Sequence, residues 1–149
     1  MLTIDIPTIA EYPQLVLLWE SSVRATHHFL KEEDILFYKE QLAAHYLHLV
    51  QLSCARDEHG AILGFSGVAE GNLEMLFVSA EARGKGVGKL LLAYATNKQG
   101  VTKVDVNEEN EQAFGFYQHA GFTVTGRSEY DGQGKPYPIL HMERLPAAE

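Results

Sequence analysis

A single cysteine, Cys54, stands in this chain of 149 residues, so no disulfide can form within it. That fits a reducing compartment, and Cys54, in an alternating segment, reads as a small buried hydrophobe. Basic residues are scarce: 12 Lys and Arg stand against 20 Asp and Glu, for a formal net charge of −8. A nucleic-acid binder carries a basic face, so nucleic acid is not an expected partner. The acidity favours cationic partners such as amines or lysine-bearing peptides. Long apolar runs are missing as well. Leu15 to Trp19 is the longest early one, far short of the roughly 20 residues that span a bilayer. Asp5 and Glu11 stand where a signal peptide would be basic. No membrane association is expected, and the chain reads as cytoplasmic. His45 and His48 are three apart without an H-E-x-x-H frame, so no metal is expected. No internal repeat or low-complexity tract is present.

What is there fits one domain over residues 1–149, since a chain of this length can bury about 68–70% of its unfolded surface. Leu2 to Ile6 alternates as a strand, ended by Pro7. Tyr12, Leu15, Leu18, Trp19 and Val23 follow helical spacing over Glu11 to Ala25. A second helix starts near Lys31, with Glu32, Glu33 and Asp34 suiting its dipole and an apolar stripe Ile35, Tyr38, Leu42 and Leu49. Strands follow at Leu49 to Arg56, Ile62 to Glu70 and Leu73 to Val78. A helix over Leu90 to Lys98 puts Leu90, Leu91, Tyr94 and Ala95 on one face, with Gly100 past its end. Val101 to Val106 is a strand, and a helix carrying Ala113, Phe116, Tyr117 and Ala120 runs to Gly121. Phe122 to Tyr130 and Ile139 to Arg144 close the chain as a strand pair. Three consecutive strands imply an antiparallel portion, and the strand-helix-strand unit from Leu73 to Val106 implies a parallel crossover. The class is α/β (α+β): a mixed, mostly antiparallel sheet of about seven strands flanked by four helices.

The run Arg83-Gly84-Lys85-Gly86-Val87-Gly88-Lys89 sits between a strand and a helix. Glycines admit a close ligand, and the first N–H groups of a helix are unpartnered and electropositive. Such a loop holds phosphate. It is not a P-loop: Arg83 replaces the first glycine and Leu90 the Mg²⁺-binding hydroxyl. It is not a dinucleotide fingerprint either, because Lys89 takes the place of the third glycine. Arg83, Gly86 and Gly88 do match [Arg/Gln]-x-x-Gly-x-[Gly/Ala]. Downstream, Asn107, Asn110, Ala113, Phe116, Tyr117, Gly121 and Phe122 form N-x-x-N-x-x-A-x-x-F-Y-x-x-x-G-F. Taken singly, these residues read as an N-cap, core aromatics and a C-cap. Together, in this order and separation, the two blocks resemble the GNAT acetyltransferases, and the resemblance covers nearly the whole chain. Ala25 to Leu30, Val106 to Ala113, Gly126 to Glu129 and Gly134 to Pro138 resemble the YjaB-type bacterial branch, often described as acetylating peptide lysines.

The resemblance implies a GNAT fold with a splayed parallel strand pair holding acetyl-CoA as cosubstrate. Arg83, Gly84, Lys85, Gly86, Val87, Gly88 and Lys89 would take the pyrophosphate, and backbone N–H groups of Leu76, Phe77 and Val78 the acetyl carbonyl and pantetheine. Asn110 would contact the pantetheine arm or orient Tyr117, and Asn107 and Tyr117 complete the implied cofactor-binding set. The implied reaction is N-acetylation of a primary amine, on a small molecule or a protein lysine, by direct attack in a ternary complex. A non-catalytic acetyl-CoA sensor of the same fold is the alternative, and intact Tyr117 and Asn110 favour the enzyme. Acetyl transfer needs a neutral amine, yet a free lysine has a pKa of roughly 10.4, so a base must take a proton. The leaving thiolate needs one back. Tyr117, a phenol of pKa about 10, is the candidate acid. Glu74 on the strand beside the slot, and His27 in the loop between the first two helices, are candidate bases. Monomer and homodimer both remain open, since the last strands of this family often form dimer contacts. The loops Thr26 to Asp34 and Asp131 to Tyr137 are where the acceptor would be read.

Overall fold

The computed structural model describes residues 1–145; the last four residues of the expected domain lie outside the described residues. Seven strands form one sheet in the order β1-β2-β3-β4-β5-β7-β6. They are β1 (Thr3–Asp5), β2 (Gln51–Arg56), β3 (Ile62–Ala69), β4 (Asn72–Val78), β5 (Lys103–Asn107), β6 (Thr123–Ser128) and β7 (Ile139–Glu143). The four α-helices are α1 (Tyr12–Thr26), α2 (Glu32–Ala44), α3 (Val87–Lys98) and α4 (Glu111–His119). Every strand pair is antiparallel except β4–β5.

Helices cover both faces. Leu15, Trp19 and Val23 of α1 and Ile35 and Leu42 of α2 pack on Leu52, Cys54 and Phe65 of the sheet. Leu92 and Ala95 of α3 and Tyr117 of α4 pack on Leu73, Val104, Val106 and Met142 from the other side. Cys54 is fully buried, and burial raises its thiol pKa. No helix among the described residues is long and apolar enough to cross a membrane.

Two expectations are corrected. Leu49 leaves the stripe of the second helix: α2 ends at Ala44, a short 3-10 turn follows at Tyr46–His48, and Leu47 is buried while Leu49 is 70% exposed. The tighter turn changes the angular step, so helical spacing no longer counts past Ala44. The helix after the glycine loop starts at Val87 rather than Leu90, because Gly86 takes up a left-handed φ of 81° and caps it. Its buried face is therefore Val87, Leu91, Leu92 and Ala95, with Leu90 and Tyr94 half-buried.

The β4–β5 junction organises the site. Their parallel ladder holds only at Asn72↔Lys103 and Leu73↔Val104; beyond it no pairing joins the two strands. On its other edge β4 carries a bulge: Met75 pairs with Gly67 and Leu73 with Val68, leaving Glu74 as the extra residue. The bulge shows in the packing. Leu73 and Leu76 turn to the α3/α4 face, whereas Met75 and Phe77 pack on the α1/α2 side. Such an insertion bends the strand and re-aims side chains. It falls where β4 parts from β5.

Candidate active site

Between the parted strands lies a cleft of about 690 Å³. One wall is β4 from Leu73 to Val78, the other β5 from Val104 to Asn107, and the N-terminal end of α3 and the inner face of α4 close it. A second chamber of about 570 Å³ opens on the α1/α2 side, and His27, Glu74, Met75, Phe77 and Asn107 border both.

The glycine loop forms the cleft's anion end. Gly84 and Gly86 have φ of 79° and 81°, and nothing lies within 4 Å of where a Cβ would sit on either. The first i→i−4 bond of α3 runs from Leu90 N–H to the Gly86 carbonyl, so the N–H groups of Val87, Gly88 and Lys89 have no partner within the helix. Arg83 lines the cleft, and its guanidinium donates to Gln112 Oε1. This cradle of open backbone donors, with Arg83 and Lys89 beside it, suits a pyrophosphate. Of the expected cofactor residues, Lys85 does not line the cleft; Leu76, Phe77, Val78, Arg83, Gly84, Gly86, Val87, Gly88, Lys89, Asn107, Asn110 and Tyr117 do.

Tyr117 is 7% exposed and edge-packed against Phe116 and Phe122. Burial raises its phenol pKa, so it keeps its proton at neutral pH. Asn110 caps α4: its Oδ1 accepts from the Ala113 N–H at 3.1 Å. That turns its amide nitrogen toward His27 Nε2, 3.3 Å away. On the other side of the ring, Nδ1 is 2.7 Å from Thr26 Oγ1. That hydroxyl already donates to the Ser22 carbonyl, so Nδ1 carries the proton and Nε2 accepts from Asn110. Burial, then the charges of Arg83 and His28, push the His27 pKa down to about 4. Glu74, re-aimed by the bulge, stands on the boundary of the two chambers.

The second chamber is walled by Trp19, Tyr38, Tyr46, Phe77 and Tyr137, and its acidic members are Glu74 and Asp131. No Lys or Arg lines it. The segment 131–137 between β6 and β7 is fastened over it. Tyr38 donates to Asp131 Oδ2, and Tyr137 donates to Asp34 Oδ2. Lys135 Nζ lies 2.9 Å from Asp34 Oδ1 and 4.6 Å from the Phe37 ring centre. Hydrogen bonds from Tyr137 and Lys135 lower the Asp34 pKa. Sequence reasoning pointed to this loop but missed its fastenings, which join positions about a hundred residues apart. It also missed Gln112, although Gln112 lies in the quoted block beside Asn110.

A fold of two helical layers on a strand-splayed sheet, with a phosphate cradle and a buried phenol in the splay, is that of an acyl-CoA-dependent acyltransferase. Residues 45–124 match the acetyltransferase (GNAT) domain model. The chain is 41% identical over 135 residues to the peptidyl-lysine N-acetyltransferase YjaB of Escherichia coli, covering 89% of each. It is 29% identical to the peptidyl-lysine N-acetyltransferase YiaC of the same species, over 88% of this chain and 90% of that one. The solution structure of apo YjaB from Escherichia coli superposes with a TM-score of 0.90 at 37% identity, covering 99% of both chains. PaiA N-acetyltransferase from Thermoplasma acidophilum, solved with coenzyme A, shares the fold with a TM-score of 0.73 at 21% identity, over 97% and 99%. The chain belongs to the GNAT acetyltransferase family. It is an N-acetyltransferase, moving an acetyl group to an amine.

Proposed function

We propose that acetyl-CoA is bound in the β4–β5 cleft and that the acceptor is the side-chain amine of a peptide lysine. One observation carries the reading: the α3 cradle, the Tyr117 phenol and the Glu74 carboxylate all open into one cleft, and that cleft meets an aromatic, acidic chamber at Glu74. The peptidyl-lysine names of the YjaB and YiaC relatives support the acceptor class. So does the chamber chemistry. Aromatic walls take an alkyl stem and attract an ammonium by its charge, and two carboxylates without a competing cation draw it in.

The backbone N–H groups of Val87, Gly88 and Lys89, with Arg83, hold the pyrophosphate. The edge that β4 leaves unpaired toward β5, at Leu76 to Val78, offers backbone donors to the pantetheine and acetyl carbonyl. Glu74 takes a proton from the arriving ammonium, directly or through one water. Tyr117 gives its proton to the departing sulfur. His27, neutral and with both ring nitrogens engaged, serves best by holding Asn110 and hence the start of α4. Residues 1–149 act as one domain, and a reducing cytoplasm suits its single unpaired thiol.

The test is amide formation on a lysine peptide with acetyl-CoA as donor. Glu74→Gln should lower kcat by roughly 10²-fold or more while the affinity for acetyl-CoA holds. A wild-type rate in that variant would remove Glu74 as the base. Failure of every lysine peptide, with small amines acetylated, would move the acceptor class.

A further inference from the structure

The reaction leaves a proton to dispose of. An ammonium and a thioester become an amide and a thiol: nitrogen loses two protons, sulfur gains one, and one goes to water. On the reading above, Tyr117 serves the sulfur and Glu74 holds the proton bound for water. Glu74 must be emptied before the next ammonium can be served. Glu74 is exposed in the free chain, but an acceptor on one side of it and a donor on the other would cover it during turnover.

A second carboxylate lines the same cleft. The β4–β5 ladder ends at Leu73↔Val104, so Glu74 and Asp105 are the first residues past it on the two strands. Val104 and Val106 bury toward α3 and α4, which turns Asp105 to the opposite face, the one Met75 packs on; Glu74 borders the chamber on that side as well as the cleft. Both carboxylates line the cleft. Asp105 also reaches outside: its side chain is 48% exposed.

Asp105 is held in place. His141 Nδ1 lies 2.6 Å from Asp105 Oδ1, and His141 Nε2 lies 2.7 Å from Ser128 Oγ. A carboxylate only accepts, so in the neutral ring Nδ1 carries the proton and donates to Asp105, and Nε2 accepts from the Ser128 hydroxyl. Asp105 Oδ2 keeps its lone pairs. Lys103 of β5 and Glu143 of β7 stand opposite each other in the neighbouring register, and His27 and Asp131 border the chamber on the α1/α2 side. Asp is a poor strand former, so its place in the middle of β5 runs against strand preference.

We propose that Asp105 carries the reaction's proton from Glu74 out of the cleft to solvent, and that His141, oriented by Ser128, is the positioning residue that holds it. This rests on the reading of Glu74 as base. The proton leaves the Glu74 carboxyl through a cleft water, arrives on Asp105 Oδ2 and passes to bulk water; no other bond changes. The order Ser128–His141–Asp105 is also that of a hydrolase triad. Neither Ser128 nor His141 lines either cavity, so a substrate for a serine nucleophile has no seat there.

Rapid-mix acetylation of a lysine peptide, read as amide product, separates the steps. Wild type should show no burst. Asp105→Asn should form the first equivalent of amide at the wild-type rate and then turn over about tenfold or more slowly, in the range of an impaired proton transfer. Added formate should restore turnover in Asp105→Ala. His141→Ala should behave like Asp105→Asn, and His141→Gln, which still presents an N–H to Asp105, should recover most of the loss. KM for both substrates should fall together with kcat, leaving kcat/KM near wild type. Wild-type steady-state turnover in Asp105→Asn, or a first turnover slowed in parallel with it, would overturn the proposal, as would covalent labelling of Ser128 by a fluorophosphonate. Glu74→Gln run alongside keeps the two readings apart: an undiminished first turnover there defeats the base itself.

Discussion

His27 shows how one residue's protonation is coupled to folding. Its folded pKa sits near 4, below the roughly 6.5 of a free imidazole. As pH falls below the unfolded value, the unfolded chain binds a proton that the folded one refuses. Stability is therefore fully present above about 6.5 and lost as pH falls toward 4. Urea unfolding across that window should show the loss, and His27→Gln should flatten it. An identical pH slope in the variant would mean the ring is not buried as a neutral acceptor. Tyr117 makes the opposite use of burial, which keeps its proton on. Tyr117→Phe should cut kcat by about 10²-fold or more and leave acetyl-CoA affinity near wild type by calorimetry. Unchanged turnover would take the acid role from it. Tyr117 and Asn110 were readable from the chain because their spacing along one helix is itself the signal. The pairing of Asn110 with His27 was not, since it joins positions 83 residues apart. Glu74 was read as a candidate without its direction, because plain alternation says nothing about a bulge; the direction comes from its neighbours Gly67 and Val68 on another strand.

Among the elements, α3 is seated by a glycine that no motif flagged. A Cβ on Gly64 of β3 would come 2.7 Å from Val87 Cγ1 and 3.0 Å from the Phe77 carbonyl oxygen. The first contact could be eased by moving α3, the second only by moving the backbone of β4. Gly64→Ala should cost about 1–3 kcal/mol, the usual scale of overpacking, read as a lower urea midpoint. Since Val87 opens α3, KM for acetyl-CoA should rise with it, while amine KM stays. A neutral substitution would show that α3 has room to shift. The strand order and helix count were legible because each element carries its own period. The ends were less so. Gly86 in left-handed conformation starts α3 three residues before the apolar pattern begins, and the 3-10 turn at Tyr46–His48 breaks the count after α2.

Across the whole molecule, the chamber proposed for the acceptor is completed by parts far apart in the chain: α1, α2, the sheet and the 131–137 strap. The strap's hold on α2 runs through side-chain contacts on Asp34, Phe37 and Tyr38. Tyr38→Phe with Lys135→Ala should loosen it, raising KM for the lysine peptide several-fold with little change for acetyl-CoA, whose cleft lies across the sheet. Equal losses for both substrates would point to general unfolding instead, which a melting curve would show. The proposed donor half of the site was legible as a motif because a phosphate cradle is written in glycines and a helix start. The acceptor half was legible only as two loops, since its walls are assembled by tertiary contact.

The one-residue bulge at Glu74 ties two inventions to a single event. The extra residue falls where β4 parts from β5 and puts a carboxylate at the gap. On the reading proposed above, a one-residue deletion there would remove the base and the strand's re-aiming together, whereas a substitution at Glu74 would exchange the carboxylate and leave the bulge in place.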